Sequence, residues 1–448
     1  MEARELAELV LKEALRLGAD EVAVEAVGST SRQVRFANNE ITVVKTWDSL
    51  DLGVYLAKDR KVVGTSLSNV DPEAIRSALK DLMSLLAVMK EERPDYAPLP
   101  EGPFTYEPIP GLYDKELAEL GEKAIDLVES AVNKALEAGG KRVAGTFAFG
   151  EEKIILLTSK GVEAGHERTR AELVVRALAD GESAGVGTTC GTRLKDLDPE
   201  LAGEEAGRFA KLSLNPEPLE PGRYDVVFGR PASAVFFDIV AGMSSAFYVD
   251  SGMSCLMNKL GQKVASDVVS IYDDARLEAG LGSRPFDDEG LPTARKPIIE
   301  AGVLKTYLHN SITAKRHNTT STANAGWVVP RPWNVVVSAG DRSDEELMAE
   351  VRHGLFVNNI TYVRFQDYAK GDFSAVIRDG VFLIRDGEIK KAVKGLRLSD
   401  NVLNILSSVR ALSKEARQVA HWWMEWGSPA VVTPLVLAEG VGFTTPTK

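Results

Sequence analysis

Residues 224–248 read YDVVFGRPASAVFFDIVAGMSSAFY, a short strand, a Gly-Arg-Pro start signal and a helix predicted from Pro231 to about Tyr248. In the helix, Ala232, Val235, Phe236, Ile239, Val240, Met243 and Phe247 recur with the 3.6-residue period of a core-facing stripe. The opposite side carries Phe237, Asp238, Ala241, Gly242, Ser244 and Ser245. It is small and polar apart from one ring, which predicts that it faces a cleft or another surface and makes Ser245 a candidate interface residue. Beyond the helix the chain returns to short runs rich in Val, Ile and Thr: VASDVVSIYDD, KPIIEAG, VLKTYL, WNVVVSAG, ITYVRFQ and FSAVIRDGVFLIRDGEI. Helices are expected near Ser343 to Gly354 and Ser399 to Leu412, and Asp379-Gly380 and Asp386-Gly387 read as hairpin turns. The fold class is α+β, with N-terminal helix and antiparallel-meander modules followed by a larger, bent or barrel-like C-terminal domain with a central helix.

Working back from Tyr224, two related modules precede this region. Ala3, Leu6, Ala7, Val10, Ala14 and Leu17 form an amphipathic first helix. EVAVEAV, RQVRFA, EITVVKTW, LDLGVYLA and KVVGTSLS follow as four or five strands, and Asp71-Pro72 opens a second helix to about Met89. Residues 93–112 are proline-rich and suit an extended linker. Helix 114–138, the strands VAGTFAFG, KIILLTS, AELVVRALA and SAGVGTT, and a helix from about Asp198 to Leu212 then repeat the same order, which suggests a diverged duplication. The expected domains are 1–92, 113–215 and 222–448, with 93–112 as the linker.

With 448 residues, the chain is too long for one core. A formal net charge of −12 opposes direct binding to a nucleic acid backbone, which needs a basic patch. No apolar run approaches the ~18–20 residues that cross a bilayer, and the acidic amphipathic start MEARELAELV is unlike a secretory signal, so no membrane association and a cytoplasmic location are expected. Cys190 and Cys255 stand far apart, which argues against a disulfide framework or a thiolate zinc site.

The run VFFDIVAGMSSAFYVDSGMSCLMNKLGQKVASDVVSIYDD (235–274), with RPFDDEGLPTARKPIIEAGVLKTYL (284–308) and TTSTANAG (319–326), resembles the TldD/PmbA family. The active member of that family carries His-Glu-x-x-x-His in this helix. Laid on this sequence without a gap, the two histidine positions fall on Phe237 and Gly242 and the glutamate position on Asp238. The family's third ligand is a cysteine near the C-terminus, and HWWMEWGSPAVVTPLVLAEGVGF from His421 contains none. The resemblance is therefore to the PmbA/TldE branch, without the zinc motif. It implies a non-catalytic subunit with no cofactor of its own, zinc being expected in a TldD-like partner, in a metallopeptidase complex acting on small or unfolded peptides. The alternative is a stand-alone homodimeric peptide-binding or scaffold protein. Arg284, Asp287, Asp288, Glu289 and Gly290 are family-signature positions.

Other candidates have plainer readings. His166-Glu167 lacks the second histidine of a zinc motif and reads as a solvent-facing strand pair. His309, His317 and His353 are isolated in sequence. Asp273-Asp274 and Asp287-Asp288-Glu289 could serve as cation ligands or as an acid–base pair, but carboxylates at strand ends and before glycine commonly fix turns. DSGMSC lacks a nucleophile elbow and reads as a turn. Trp422, Trp423 and Trp426 would share one helical face, a surface that either the chain's own core or a partner must cover.

Overall fold

The computed structural model describes residues 2–68, 71–90, 94–181, 183–421 and 430–446. Helix α1 (Ala3–Arg16), strands β1 (Glu21–Ala37), β2 (Glu40–Lys58) and β3 (Lys61–Ser68) and helix α2 (Pro72–Val88) form the first module. Helix α3 (Lys123–Glu137), strands β4 (Arg142–Thr158), β5 (Glu163–Leu178) and β6 (Ala184–Gly191) and helix α4 (Pro199–Leu212) form the second. The six strands make one sheet in the order β3-β2-β1-β4-β5-β6. β1 and β4 pair antiparallel from Ala23–Thr158 to Phe36–Gly145. The two modules thus join within one chain through equivalent strands, the arrangement a local two-fold axis produces.

The four or five short strands read from each half are in fact three, two of them long. Gly28 and the Ser-Thr-Ser run after it do not interrupt β1, because their polar side chains are used across the ladder: Ser29 Oγ lies 2.8 Å from Ser49 Oγ, and Thr30 donates to Asp48 at 2.7 Å. The hairpin joining β1 to β2 turns on Asn38 and Asn39, with φ of 51° and 72°, as a two-residue type I′ turn requires. One face of the sheet is covered by helices. Leu6 and Val10 of α1 and Ile75 and Leu79 of α2 pack on Val22, Val24, Leu52 and Val54. In the second half, α3 and α4 pack so closely that a Cβ at Gly203 or Gly207 would lie 2.1 Å from a carbonyl oxygen of Ala131 or Ala135.

The proline-rich stretch is extended, as expected, but it is bound along its length. Tyr96 Oη and Leu99 N–H donate to Glu21 at 2.7 and 3.0 Å. Tyr106 Oη donates to the Gly290 carbonyl at 2.7 Å, and Arg276 donates to the carbonyls of Glu107 and Pro108 at 2.8 and 3.1 Å. It is a strap between the sheet and the C-terminal region.

The C-terminal sheet closes on itself. β7 (Gly222–Phe228) pairs with His353–Asp367 and Val436–Thr444, and Arg397–Asn401 and Asp372–Arg385 complete the ring back to His353–Asp367. A separate six-stranded sheet includes Ile271–Asp274, Arg295–Glu300, Val335–Val337 and Val431–Thr433. Helix α5 (Arg230–Met243) lies between the two, in a core that contains Leu355, Val357 and Phe373 from the ring and Ile271, Val335 and Val431 from the sheet.

This placement corrects the one-sided reading of α5: Phe237 and Ala241 are 0% exposed because the second sheet covers them. The helix also ends earlier than predicted. Ser245 leaves helical geometry at φ −59°, ψ 126°, and Ala246–Asp250 forms a separate turn. Ala246 N–H and Leu308 N–H exchange bonds with the Leu308 and Ser244 carbonyls, each at 2.9 Å. Elsewhere, the helices read at 343–354 and 399–412 shorten to Asp344–Ala349 and Val402–Ser408, and the one read at 114–138 breaks at Gly121. Asp386-Gly387 is the hairpin expected, but Asp379-Gly380 lies inside the strand Asp372–Arg385 at a register shift.

Candidate functional site

A cavity of about 860 Å³ opens between the helix-free face of the N-terminal sheet and the C-terminal region. Its floor is the one side of α5 that neither sheet covers: Asp238, Ile239, Gly242 and Met243. Its walls are Glu25 and Val27 of β1, Asp51 to Gly53 of β2, the loop Gly326–Pro332, and Tyr248, Phe365 and Tyr368. Alternation along a strand explains the sheet's share. Val24, Leu52 and Val54 enter the helix-covered core, while Glu25, Val27 and Asp51 point the other way. Trp327 crosses from the C-terminal loop to β2, where Gly53 makes room for it: a Cβ there would sit 2.7 Å from the indole nitrogen. The indole stacks on Tyr55 with centroids 6.0 Å apart.

The three positions of the family zinc motif separate. Gly242 faces the cavity, and nothing lies within 4 Å of a Cβ built on it. Asp238 is beside it, its carboxylate 3.4 Å from the buried His421 imidazole. Phe237 is in the core, its ring edge-on to Phe236 at 5.4 Å. A peptidase zinc needs three protein ligands and an open position. Among the described residues no three His, Cys, Asp or Glu groups are gathered to hold a metal ion. Both thiols are buried, and burial pushes their pKa up, that of Cys255 to about 11. The residues present do not fit the zinc that the resemblance brings to mind.

Across the cavity lies the turn Arg284–Gly290, buried throughout. Asp287 accepts from the backbone N–H of Glu289, Leu291 and Ala325 at 3.0, 2.9 and 3.0 Å. Arg284 joins Glu25 at 2.7 Å and Asp288 at 2.9 Å, so a β1 carboxylate is locked to the C-terminal region. Its guanidinium also lies 4.5 Å from the Trp333 ring centroid. Glu289 accepts from Ser311 N–H and Oγ–H, and among the described residues it pairs with no cation. Burial, followed by the charge of Asp287, raises its pKa to about 8. Gly290, at φ 87°, closes the turn where L-residues are disfavoured. This signature is a joint between domains whose acids are already engaged by backbone and arginine. Asp273 is likewise occupied, by Lys296 at 2.9 Å and by Asn324 and Trp333 N–H at 2.6 Å each.

Other candidates moved. Ser245 is 1% exposed within the chain and has no outward face for a partner. Trp422, Trp423 and Trp426 lie outside the described residues. His166 is not solvent-facing: its ring stands edge-on to Phe286 at 5.2 Å, and burial next to Arg284 and Arg168 lowers its pKa well below the ordinary value. His309 and His317, isolated in sequence, come within 5.0 Å, and His317 bonds Asp250 at 2.7 Å. Ser254 Oγ donates to the Met243 carbonyl at 2.7 Å, in agreement with a turn rather than a nucleophile. Glu25, Asp51, Trp327 and Arg331 also line the cavity, although no sequence motif marks them as a group. The one available signal is Glu25, the second of two charges in the strand EVAVEAV and the one with apolar residues on both sides.

The chain matches models of three successive domains: PmbA/TldA metallopeptidase domain 1 over residues 22–86, the central domain over 115–214 and the C-terminal domain over 221–445. A metalloprotease of Methanocaldococcus jannaschii is 30% identical over 316 residues, 67% of this chain and 68% of that protein. The metalloprotease PmbA of Escherichia coli is 25% identical over 87% of this chain and 86% of its own. The crystal structure of TldE from Thermococcus kodakarensis has the same fold, with a TM-score of 0.81 over 99% of this chain and 100% of that one at 23% identity. With three domain matches in the family's order, carried on a shared fold, the chain belongs to the PmbA/TldD family of metallopeptidase-like proteins.

Proposed function

We propose that this chain is a TldE-like, non-catalytic subunit that joins a zinc-bearing TldD-like chain in a peptidase for small or unfolded peptides. One observation carries the reading. The cavity-facing side of α5 offers Asp238, Ile239, Gly242 and Met243, with no imidazole and no three-group donor set among the described residues, inside an otherwise complete family framework. The partner would supply the metal chemistry, and this chain would supply a wall of the peptide chamber.

Co-expression with a TldD-like chain from the same source tests this by size exclusion and cleavage of an unfolded peptide. A co-eluting pair that cleaves, beside a pure chain that does not, is the expected result. Cleavage by the pure chain would refute the reading. Self-association without any heteromeric complex would favour the stand-alone homodimeric peptide-binding protein, which the size of the cavity also suits.

A further inference from the structure

The cavity beneath α5 adjoins a second one of about 570 Å³, and Glu25, Val27, Asp51, Arg331 and Pro332 line both. Each lies in the size range of small-molecule sites. Most charges along this joined space are engaged within the chain. Glu25 and Asp288 share Arg284 at 2.7 and 2.9 Å, Glu152 holds Arg168 at 2.5 Å, and Asp238 lies 3.4 Å from the His421 imidazole.

Two of the shared residues differ. Asp51, on β2, accepts the Ser49 hydroxyl at 3.0 Å and, among the described residues, pairs with no cation. Arg331, on the C-terminal loop, has a side chain 53% exposed, and its ion pair with Asp288 is 3.8 Å long. Its guanidinium lies 5.2 Å from the Trp333 ring centroid, a contact that steadies it on the wall. So long and exposed an ion pair contributes little, and Asp288 keeps Arg284 when Arg331 turns to a ligand. No ion pair joins Asp51 to Arg331 among the described residues. The passage thus offers one available charge of each sign, the acid on the sheet and the base on the C-terminal region, with Val27 and Pro332 as apolar lining. A ligand with a single charge would leave the opposite residue shielded from water and unpaired, a costly arrangement. A zwitterion pairs both, through charge-assisted hydrogen bonds at each end.

We propose that Asp51 binds the free ammonium group and Arg331 the free carboxylate of a short peptide, so that the joined cavities take zwitterionic oligopeptides of a few residues rather than segments inside a longer chain. The inference rests on the reading that this chain handles peptides, and it adds which peptides and which two side chains select them. Selection is by the ends of the ligand and not by its side chains.

The test uses the full-length protein and the tripeptide Ala-Phe-Ala in three forms, with both ends free, N-acetylated or C-amidated, followed by isothermal titration calorimetry. The parent protein is expected to bind the free form, with either cap weakening binding about tenfold, as the loss of a charged hydrogen bond does. Asp51→Asn is expected to bind the free and acetylated forms alike while still discriminating against the amide. Arg331→Gln is expected to do the converse. Equal affinity of the parent for all three forms, or no binding by the parent, would overturn the proposal without any variant. So would a cap effect that persists in full in the matching variant, because the ends would then be read by other residues. The subunit reading fails separately. Cleavage by the reconstituted pair with no effect of the caps on binding removes only this proposal, and cap-sensitive binding by a chain that forms no cleaving pair removes only the subunit.

Discussion

The Arg284–Gly290 turn and the open side of α5 face each other across one cavity, and both lie in stretches that carry the family resemblance. In the turn every acid has work within the chain: Asp287 holds three backbone N–H groups, Asp288 shares Arg284 with Glu25, and Glu289 holds Ser311. On α5, Gly242 leaves empty space where an imidazole would be needed and Phe237 has gone into the core. The turn fixes the relation between the domains through bonds that use every acid, while the cavity side of α5 leaves open space at Gly242 and carries no imidazole.

The sharpest way to break this contrast is to force chemistry back onto the helix. Phe237→His removes a fully buried ring and leaves an imidazole in an apolar core, a change expected to cost about 3–5 kcal/mol in denaturant unfolding. A stable variant that bound zinc would show that this position can turn to the cavity. Arg284→Ala tests the opposite wall. It strips the cation from Glu25 and the nearer of two cations from Asp288, side chains only 17% and 4% exposed, and should destabilise by roughly 3–5 kcal/mol. A loss below about 1 kcal/mol, the level of an exposed ion pair, would mean that the joint is no more than a surface contact.

The acidic turn also predicts a pH dependence. Glu289 has a folded pKa of about 8, above the ordinary 4.5, so the folded state holds a proton that the unfolded state releases across that interval. Its contribution to stability is complete below about pH 4.5 and is lost as pH rises toward 8. Unfolding free energy should fall between pH 5 and pH 8, and Glu289→Gln should reduce that slope, the remainder belonging to Asp287 and Asp288, whose pKa values burial also raises. An unchanged slope in the variant would assign the effect to other groups. The smallest expected effect is a gain. Gly242→Ala adds a methyl group into open space on a helix and should stabilise by about 0.5–1 kcal/mol. A loss would show that this site needs glycine for its backbone.

The same contrast explains how far the sequence could be read. The period of α5 identified its core stripe through Val235, Phe236 and Val240, because burial on that side needs large apolar groups. It could not show that a second sheet lies against Phe237 and Ala241, since an element buried on two sides carries no one-sided pattern. The turn reading of Asp287 is available because carboxylates within Asp-Asp-Glu-Gly fix a turn by local chemistry. Its link to Glu25 spans 259 residues and leaves no local signal. Likewise β1 and β2 were read as broken at polar residues, although Ser29, Ser31 and Ser49 are polar because they line a cavity.

Zinc content per chain is the most direct test of the central claim. The protein purified alone without chelators should contain none, and its pair with a TldD-like chain should contain one zinc per heterodimer and cleave peptide. About one tightly held zinc in the isolated chain, with cleavage abolished by a chelator, would contradict the account.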